Sequence, residues 1–226
     1  MCGRSTHKLS WDEIVRLYNL TLQHFPKSNL EPNYNVAPTT TIPIVIEQEG
    51  KRGLIPARWG LIPSWWKKPL KDLPATFNAR AETVATKPMF RSAYAKRRCI
   101  IPSNGFYEWK GPKGKKQPYF ISPARDPLLS FAGLWEQWKD PETNMPLNTA
   151  TIIVAAAQAP ISSLHDRMPV MLAPDDFEPW LSLKTGIEEL AVRPPQPVNI
   201  WPVSTRVNKA GNNGDETLTQ KIQLAA

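Results

Sequence analysis

The chain has 226 residues, with 28 Lys or Arg against 20 Asp or Glu, a net charge of +8. This length suits one large domain; 41% hydrophobic and 21% charged residues exclude a disordered chain, and 24 prolines, about twice the usual share, argue against a helix bundle. Two cysteines cannot build a disulfide framework, the N-terminus MCGRSTHKLS lacks a secretory apolar run, and no stretch approaches the roughly eighteen apolar residues of a membrane helix, so a soluble intracellular protein is expected.

Ser10 reads as the N-cap of a helix running to Leu20, with Trp11, Ile14, Leu17 and Tyr18 on one stripe. Short apolar or alternating runs then predict strands over Thr41 to Glu47, Leu54 to Trp59, Cys99 to Pro102, Gly105 to Lys110, Pro118 to Ile121, Leu128 to Trp135, Thr149 to Ala156 and Pro169 to Leu172. Between them, helical pieces fit Ala81 to Lys96, interrupted by Pro88, and Pro174 to Leu183. The run GPKGKK (Gly111 to Lys116) reads as a hairpin loop presenting Lys113, Lys115 and Lys116, RPPQP (Arg193 to Pro197) as a tether to a last strand, Val198 to Val203, and the end as a polar tail. The mixture predicts one α+β domain around a curled, mostly antiparallel, barrel-like sheet flanked by short helices.

Charge is unevenly spread. From Thr83 to Arg125 there are ten cations (Lys87, Arg91, Lys96, Arg97, Arg98, Lys110, Lys113, Lys115, Lys116, Arg125) and one acid, Glu108. Such a segment is either a solvated face or a surface for polyphosphate. Nine tryptophans tilt the reading toward single-stranded nucleic acid, whose bases stack on aromatic rings beside a cationic groove. Trp59, Trp135, Trp180 and Trp201 are read as core, and Cys99, between apolar neighbours, as an inert core thiol. Three His and two Cys show no metal-ligand spacing, so neither metal nor cofactor is expected.

Cys2 carries the most distinctive chemistry. With Met1 removed, its α-amine and thiol share one Cα as a 1,2-aminothiol, with reference pKa values of about 7.7 to 8.0 and about 8.5. Such a pair condenses with an aldehyde: the amine gives a Schiff base, on which the sulfur closes a five-membered thiazolidine. A cysteine after the initiator is also often accidental, and position alone does not decide.

Eight ordered blocks, MCGR (1–4), YNVAP (34–38), WGLIPSWW (59–66), FNARAET (77–83), CIIPSNGFYEW (99–109), FAGLWE (131–136), HDRMPVML (165–172) and VSTRVN (203–208), together resemble the SRAP family, the SOS-response-associated abasic-site processing proteins. The resemblance spans residues 2 to about 210. It implies a domain over 1–210 followed by a tail over 211–226, and a cytoplasmic, nucleoid-associated monomer that finds abasic sites in single-stranded DNA. In this family the terminal cysteine captures the ring-opened sugar as a thiazolidine crosslink, with lyase activity and self-reversal as further expectations. Cys2 is then the nucleophile. Glu108 matches the family's catalytic glutamate and would shuttle protons as the carbinolamine loses water; as the lone acid in a basic stretch, its pKa is expected below normal unless burial opposes. His165 matches the histidine that would protonate the sugar ring oxygen. Asn78 would hold the amine or the sugar. Arg80, two residues on and on the same face if that segment is extended, would fork onto phosphates with Arg4. Trp65 and Trp66 would stack on bases, unless one is core.

One departure stands out: related sequences commonly carry a Thr in the strand before HDRMP, where this chain has Ala155 at the expected position. Two other readings of the same residues are a thiol peptidase, with Cys2, His165 and Glu108 as nucleophile, base and orienter, and a nucleic-acid-binding module without chemistry.

Overall fold

The computed structural model describes residues 3–8, 10–21 and 31–224. Cys2, and with it the terminal aminothiol, lies outside the described residues. Among these residues the strands are β1 Ser5–His7, β2 Asn33–Val36, β3 Thr41–Gln48, β4 Lys51–Trp59, β5 Asn78–Arg80, β6 Arg98–Ser103, β7 Gly105–Lys110, β8 Gln117–Pro123, β9 Leu129–Lys139, β10 Pro146–Ala156, β11 Arg167–Pro169 and β12 Val198–Pro202. The α-helices are α1 Trp11–Tyr18, α2 Arg91–Lys96, α3 Phe177–Leu181 and α4 Ile187–Ala191. None is long and apolar enough to cross a membrane.

Five strands close into a barrel in the order β10, β4, β3, β6, β9 and back to β10. Past the point where β4 leaves it, β10 continues between β5, parallel, and β11, antiparallel. A second sheet runs β12, β8, β7, β1, β2. The curled, mainly antiparallel sheet with short helices agrees with the α+β expectation. Closure has a physical reason: it leaves the barrel strands no unpaired edge. The β3–β4 hairpin turns on Glu49 (φ 52°) and Gly50 (φ 72°), two left-handed residues that match the strands' twist.

Each face of the barrel sheet buries a different layer. One face, with Val45, Leu54, Ile100, Leu134 and Ile153, packs against Ile14 and Tyr18 of α1, Phe177 and Trp180 of α3, and Ile187 and Leu190 of α4. The other, with Ile44, Trp59, Ile101, Phe131 and Ile152, meets Phe106 and Ile121 of the second sheet, Phe106 standing edge-on to Phe131 at 5.8 Å. Fully burying one such aliphatic or Phe side chain contributes roughly 1.5–3 kcal/mol. Cys99 is fully buried, as expected, and burial pushes its thiol well up.

Several boundaries differ from the sequence reading. The first helix starts on the expected Ser10 cap, with a reciprocal Ser10–Glu13 capping box, but stops at Tyr18 because Asn19 turns left-handed (φ 51°). Residues 81–90 form turns, and the helix begins only at Arg91, after Pro88, which lacks an N–H and disfavours helical backbone before it. The expected strand at Pro169–Leu172 is displaced to Arg167–Pro169. The C-terminal residues pack back on the second sheet: Leu218 is fully buried, and Trp201 Nε1 donates to Thr219 O at 2.8 Å.

The chain passes from barrel to second sheet at Ser103–Gly105, between β6 and β7. Ser103 Oγ donates to Gly105 O at 2.7 Å, and Gly105 O also accepts from Thr6 Oγ1 at 3.2 Å. This corner sets where β7, and Glu108 on it, begins.

Candidate active site

Glu108 lies on β7 opposite Tyr119 of β8 and is 2% exposed. Burial pushes its carboxyl up to about 7, against the opposing pull of the Trp109 backbone N–H and Lys116. Burial is thus the opposing effect that the sequence reading leaves open, and it outweighs the lowering expected from the basic surroundings. Desolvation of a carboxylate in the sheet exceeds the attraction of cations that are mostly in water. The β7–β8 hairpin closes over residues 111–116 as expected and supplies Lys116.

His165 sits between a single-turn helix, Ile161–Ser163, and β11. Burial lowers its pKa, and Asp166 opposes that shift. The Nδ1 atom has two neighbours: the Arg167 N–H, which donates to it at 3.0 Å, and Asp166 Oδ1 at 2.8 Å. A single nitrogen cannot serve both at once. The neutral ring accepts from Arg167 and carries its proton on Nε2, whereas the imidazolium would donate Nδ1–H to Asp166. With the pKa lowered, the first state dominates at pH 7. The charge of Lys116 acts on both Glu108 and His165.

Asn78 and Arg80 occupy β5, in parallel register with Ile152 and Val154, while Ala79 between them is fully buried. The two side chains therefore share a face. Arg80 is exposed, and its charge acts on Glu82, which also pairs with Arg167 Nη1. Contacts thus run from Glu82 through Arg167 to His165, and the charge of Arg80 acts on Glu82 at their start. Sequence reading passed over Arg167, although it stands two residues past His165 in the HDRMP block. Ala155 falls on the other face of β10, with Ile153 and Ala79 in the helix-covered core. A hydroxyl there would not face Asn78 or Arg80.

Other expected DNA contacts are redirected. Trp65 is 51% exposed, but Trp66 is 8% exposed and packs with Ile62 and Trp138, whose Nε1 donates to Trp66 O at 2.8 Å. Trp66 is core, because Pro63 and the following turn aim consecutive side chains to opposite sides. Arg4 points inward: Nη1 donates to Asn35 Oδ1 at 2.6 Å and to Val207 O at 2.9 Å. Within the basic segment, Arg97 pairs with buried Glu136 at 2.5 Å, and Arg98 lies between the Tyr94 and Trp180 rings, 4.6 and 4.4 Å from their centroids. Both hold structure together rather than line a polyanion surface.

A profile of the family described as SOS response associated peptidase (SRAP) matches residues 1–210. The chain is 39% identical over 224 residues to "Abasic site processing protein YoqW" of Bacillus subtilis, covering 96% of this chain and 99% of that one. It is 32% identical over 230 residues to "Abasic site processing protein YedK" of Escherichia coli, covering 96% and 99%. A crystal structure of a protein from Bacteroides thetaiotaomicron matches with a TM-score of 0.85 at 25% identity, over 98% of this chain and 100% of that chain. With the family model matching residues 1–210 and relatives covered over nearly their whole length, the chain belongs to the SRAP family.

Proposed function

We propose that this protein processes abasic sites in DNA, capturing the ring-opened sugar covalently through Cys2 once Met1 is removed. The names of its relatives support the substrate. The observation that carries the chemistry is Glu108, a buried carboxyl pushed up to about 7 on β7, the strand whose Tyr107 N–H holds Arg4 O at 3.0 Å. Near pH 7 it is half protonated, the condition in which one group both gives and takes a proton efficiently.

The free amine adds to the aldehyde carbon, and the resulting carbinolamine loses its hydroxyl as water after Glu108 protonates that oxygen, leaving the imine. The thiolate then adds to the imine carbon while the nitrogen takes up a proton, closing the thiazolidine with net loss of one water. His165, neutral with its proton on Nε2, hydrogen-bonds the sugar oxygens during ring opening. Asn78 holds the sugar, Arg80 meets a neighbouring phosphate, and Trp65 stacks on a base beside the lesion. Single-stranded DNA is the preferred substrate and the monomer the acting form, in the cytoplasm with the nucleoid. Lyase activity arises when the imine eliminates before the sulfur closes, and self-reversal runs the same proton transfers backward.

The test uses an end-labelled single-stranded oligonucleotide with one abasic site, resolved on a denaturing gel. An adduct is expected from the mature protein and none from Cys2→Ser or from protein retaining Met1; an adduct that survives Cys2→Ser rejects the reading. Peptide cleavage without DNA would point instead to a peptidase. Arg80→Ala should weaken binding to the undamaged strand and reduce the slope of log K against log salt by about 0.7, the share of one phosphate contact. An unchanged slope removes Arg80 from the phosphate-binding surface.

A further inference from the structure

Two sequence blocks, YNVAP and VSTRVN, have no part in the chemistry above, yet the fold brings both to Arg4. Besides its bonds from Nη1, Arg4 donates from Nη2 to Asn208 O at 3.3 Å. Asn35, 2% exposed, accepts from Arg4 through Oδ1 and donates through Nδ2 to Val207 O at 3.1 Å and Lys209 O at 3.0 Å. Asn208 Oδ1 in turn accepts from Trp109 Nε1 at 2.8 Å, and Trp109 follows Glu108. On the backbone side, the Tyr107 N–H donates to Arg4 O at 3.0 Å. Arg4 is therefore held to β7 by its main chain and to the 207–209 turn by its guanidinium, with Asn35 bonded to both.

We propose that Asn35 is a positioning residue for the terminal nucleophile: by gripping Arg4 and the 207–209 backbone together, it fixes the segment that carries Cys2 against Glu108. The inference rests on Cys2 being the nucleophile. Its physical basis is that chain ends fray unless tied down, and that an error of about 1 Å in the approach of reacting atoms slows a reaction about a hundredfold. Asparagine suits the place because one carbonyl and two N–H groups satisfy one guanidinium and two carbonyls. Aspartate would keep the Arg4 contact but set a carboxylate oxygen against Val207 O and Lys209 O. Leucine would remove all three bonds.

Single-turnover adduct formation at rising oligonucleotide concentration separates the limiting rate from the half-saturating concentration. In parallel, thiazolidine formation with glyoxylate reads the intrinsic reactivity of the aminothiol, which needs no alignment with Glu108. For Asn35→Leu we expect a limiting rate about tenfold to a hundredfold lower, a half-saturating concentration within about twofold of the parent, and an unchanged glyoxylate rate. Asn35→Asp should fall between. Asn208→Ala, at an exposed position, removes only the Trp109 contact and carries the test where Asn35→Leu does not fold; about a threefold fall in limiting rate is expected for one hydrogen bond. Unchanged limiting rates in these variants, beside a parent that forms the adduct, overturn this inference alone. So does an effect confined to the half-saturating concentration, which would make Arg4 a DNA contact. A parent that forms no adduct overturns the capture reading and this inference with it.

Discussion

Glu108→Gln is expected to slow adduct formation at saturating DNA by about a hundredfold or more, the usual contribution of a positioned general acid, while leaving affinity for the undamaged strand unchanged. The pH profile gives the sharper reading. Capture needs the α-amine deprotonated, so the rate rises with pH toward the amine's pKa of about 7.7 to 8.0. It also needs Glu108 protonated, and with the carboxyl pushed up to about 7 the rate falls as pH climbs past that value. The product is a bell. Glutamine removes the basic limb, so the residual rate of the variant climbs and levels off. A variant that keeps the falling limb above pH 7 assigns that limb to another group.

The same substitution should stabilise the fold at alkaline pH. In the unfolded chain Glu108 titrates near 4.5, in the fold near 7, so the fold binds the extra proton between those values. Its contribution is fully present below pH 4.5 and is lost as pH rises through 7. Above that, the parent carries a buried charge that Gln lacks. Urea titrations should find Glu108→Gln more stable than the parent at pH 8, by up to about 3 kcal/mol at 1.36 kcal/mol per unit, and equal to it at pH 4. Activity lost while stability is gained marks a group kept in an unfavourable place for its chemistry. Equal stability at pH 8 would mean that the carboxyl is not desolvated.

Gly105→Ala is expected to cost more than any single exposed substitution in the chain. A Cβ at this corner would lie 2.3 Å from Phe120 Cζ and 2.6 Å from Ile121 O. A ring can rotate aside, but the Ile121 carbonyl belongs to β8, paired to β7 at Phe106. Relief requires opening that ladder at its first rung. Overpacking against backbone costs about 3 kcal/mol or more, which for a chain of this size is a fall in Tm of roughly 6–12 °C. The register of β7 would shift with it, and Glu108 lies three residues on. Adduct formation should drop even at temperatures where the variant is folded; a Tm within about 2 °C of the parent would show that the corner has slack.

Much of the architecture was legible in the sequence because it is written in local periodicity and punctuation. The long strands alternate or run apolar between Pro, Gly and Asn, the Ser10 cap announces its helix, and GPKGKK marks its hairpin. The strands that escaped notice are β1, β2 and β5, each of three or four residues. So short a segment has no period of its own and is extended only because a neighbour pairs with it: β5 because β10 runs on past the end of β4, β1 because it fits between β2 and β7.

The sequence by itself determined the residue types of the site, a terminal aminothiol, one acid among cations, a histidine and an Asn-x-Arg pair, together with the family that orders them. Only the tertiary structure decided what each could do. Whether a tryptophan or an arginine meets solvent depends on which neighbours cover it, so Trp65 and Trp66, or Arg80 and Arg98, part company despite like chemistry. Whether Glu108 is a charged partner or a proton donor depends on how much water the fold removes from around it, and desolvation is a property of packing that no count of nearby lysines contains.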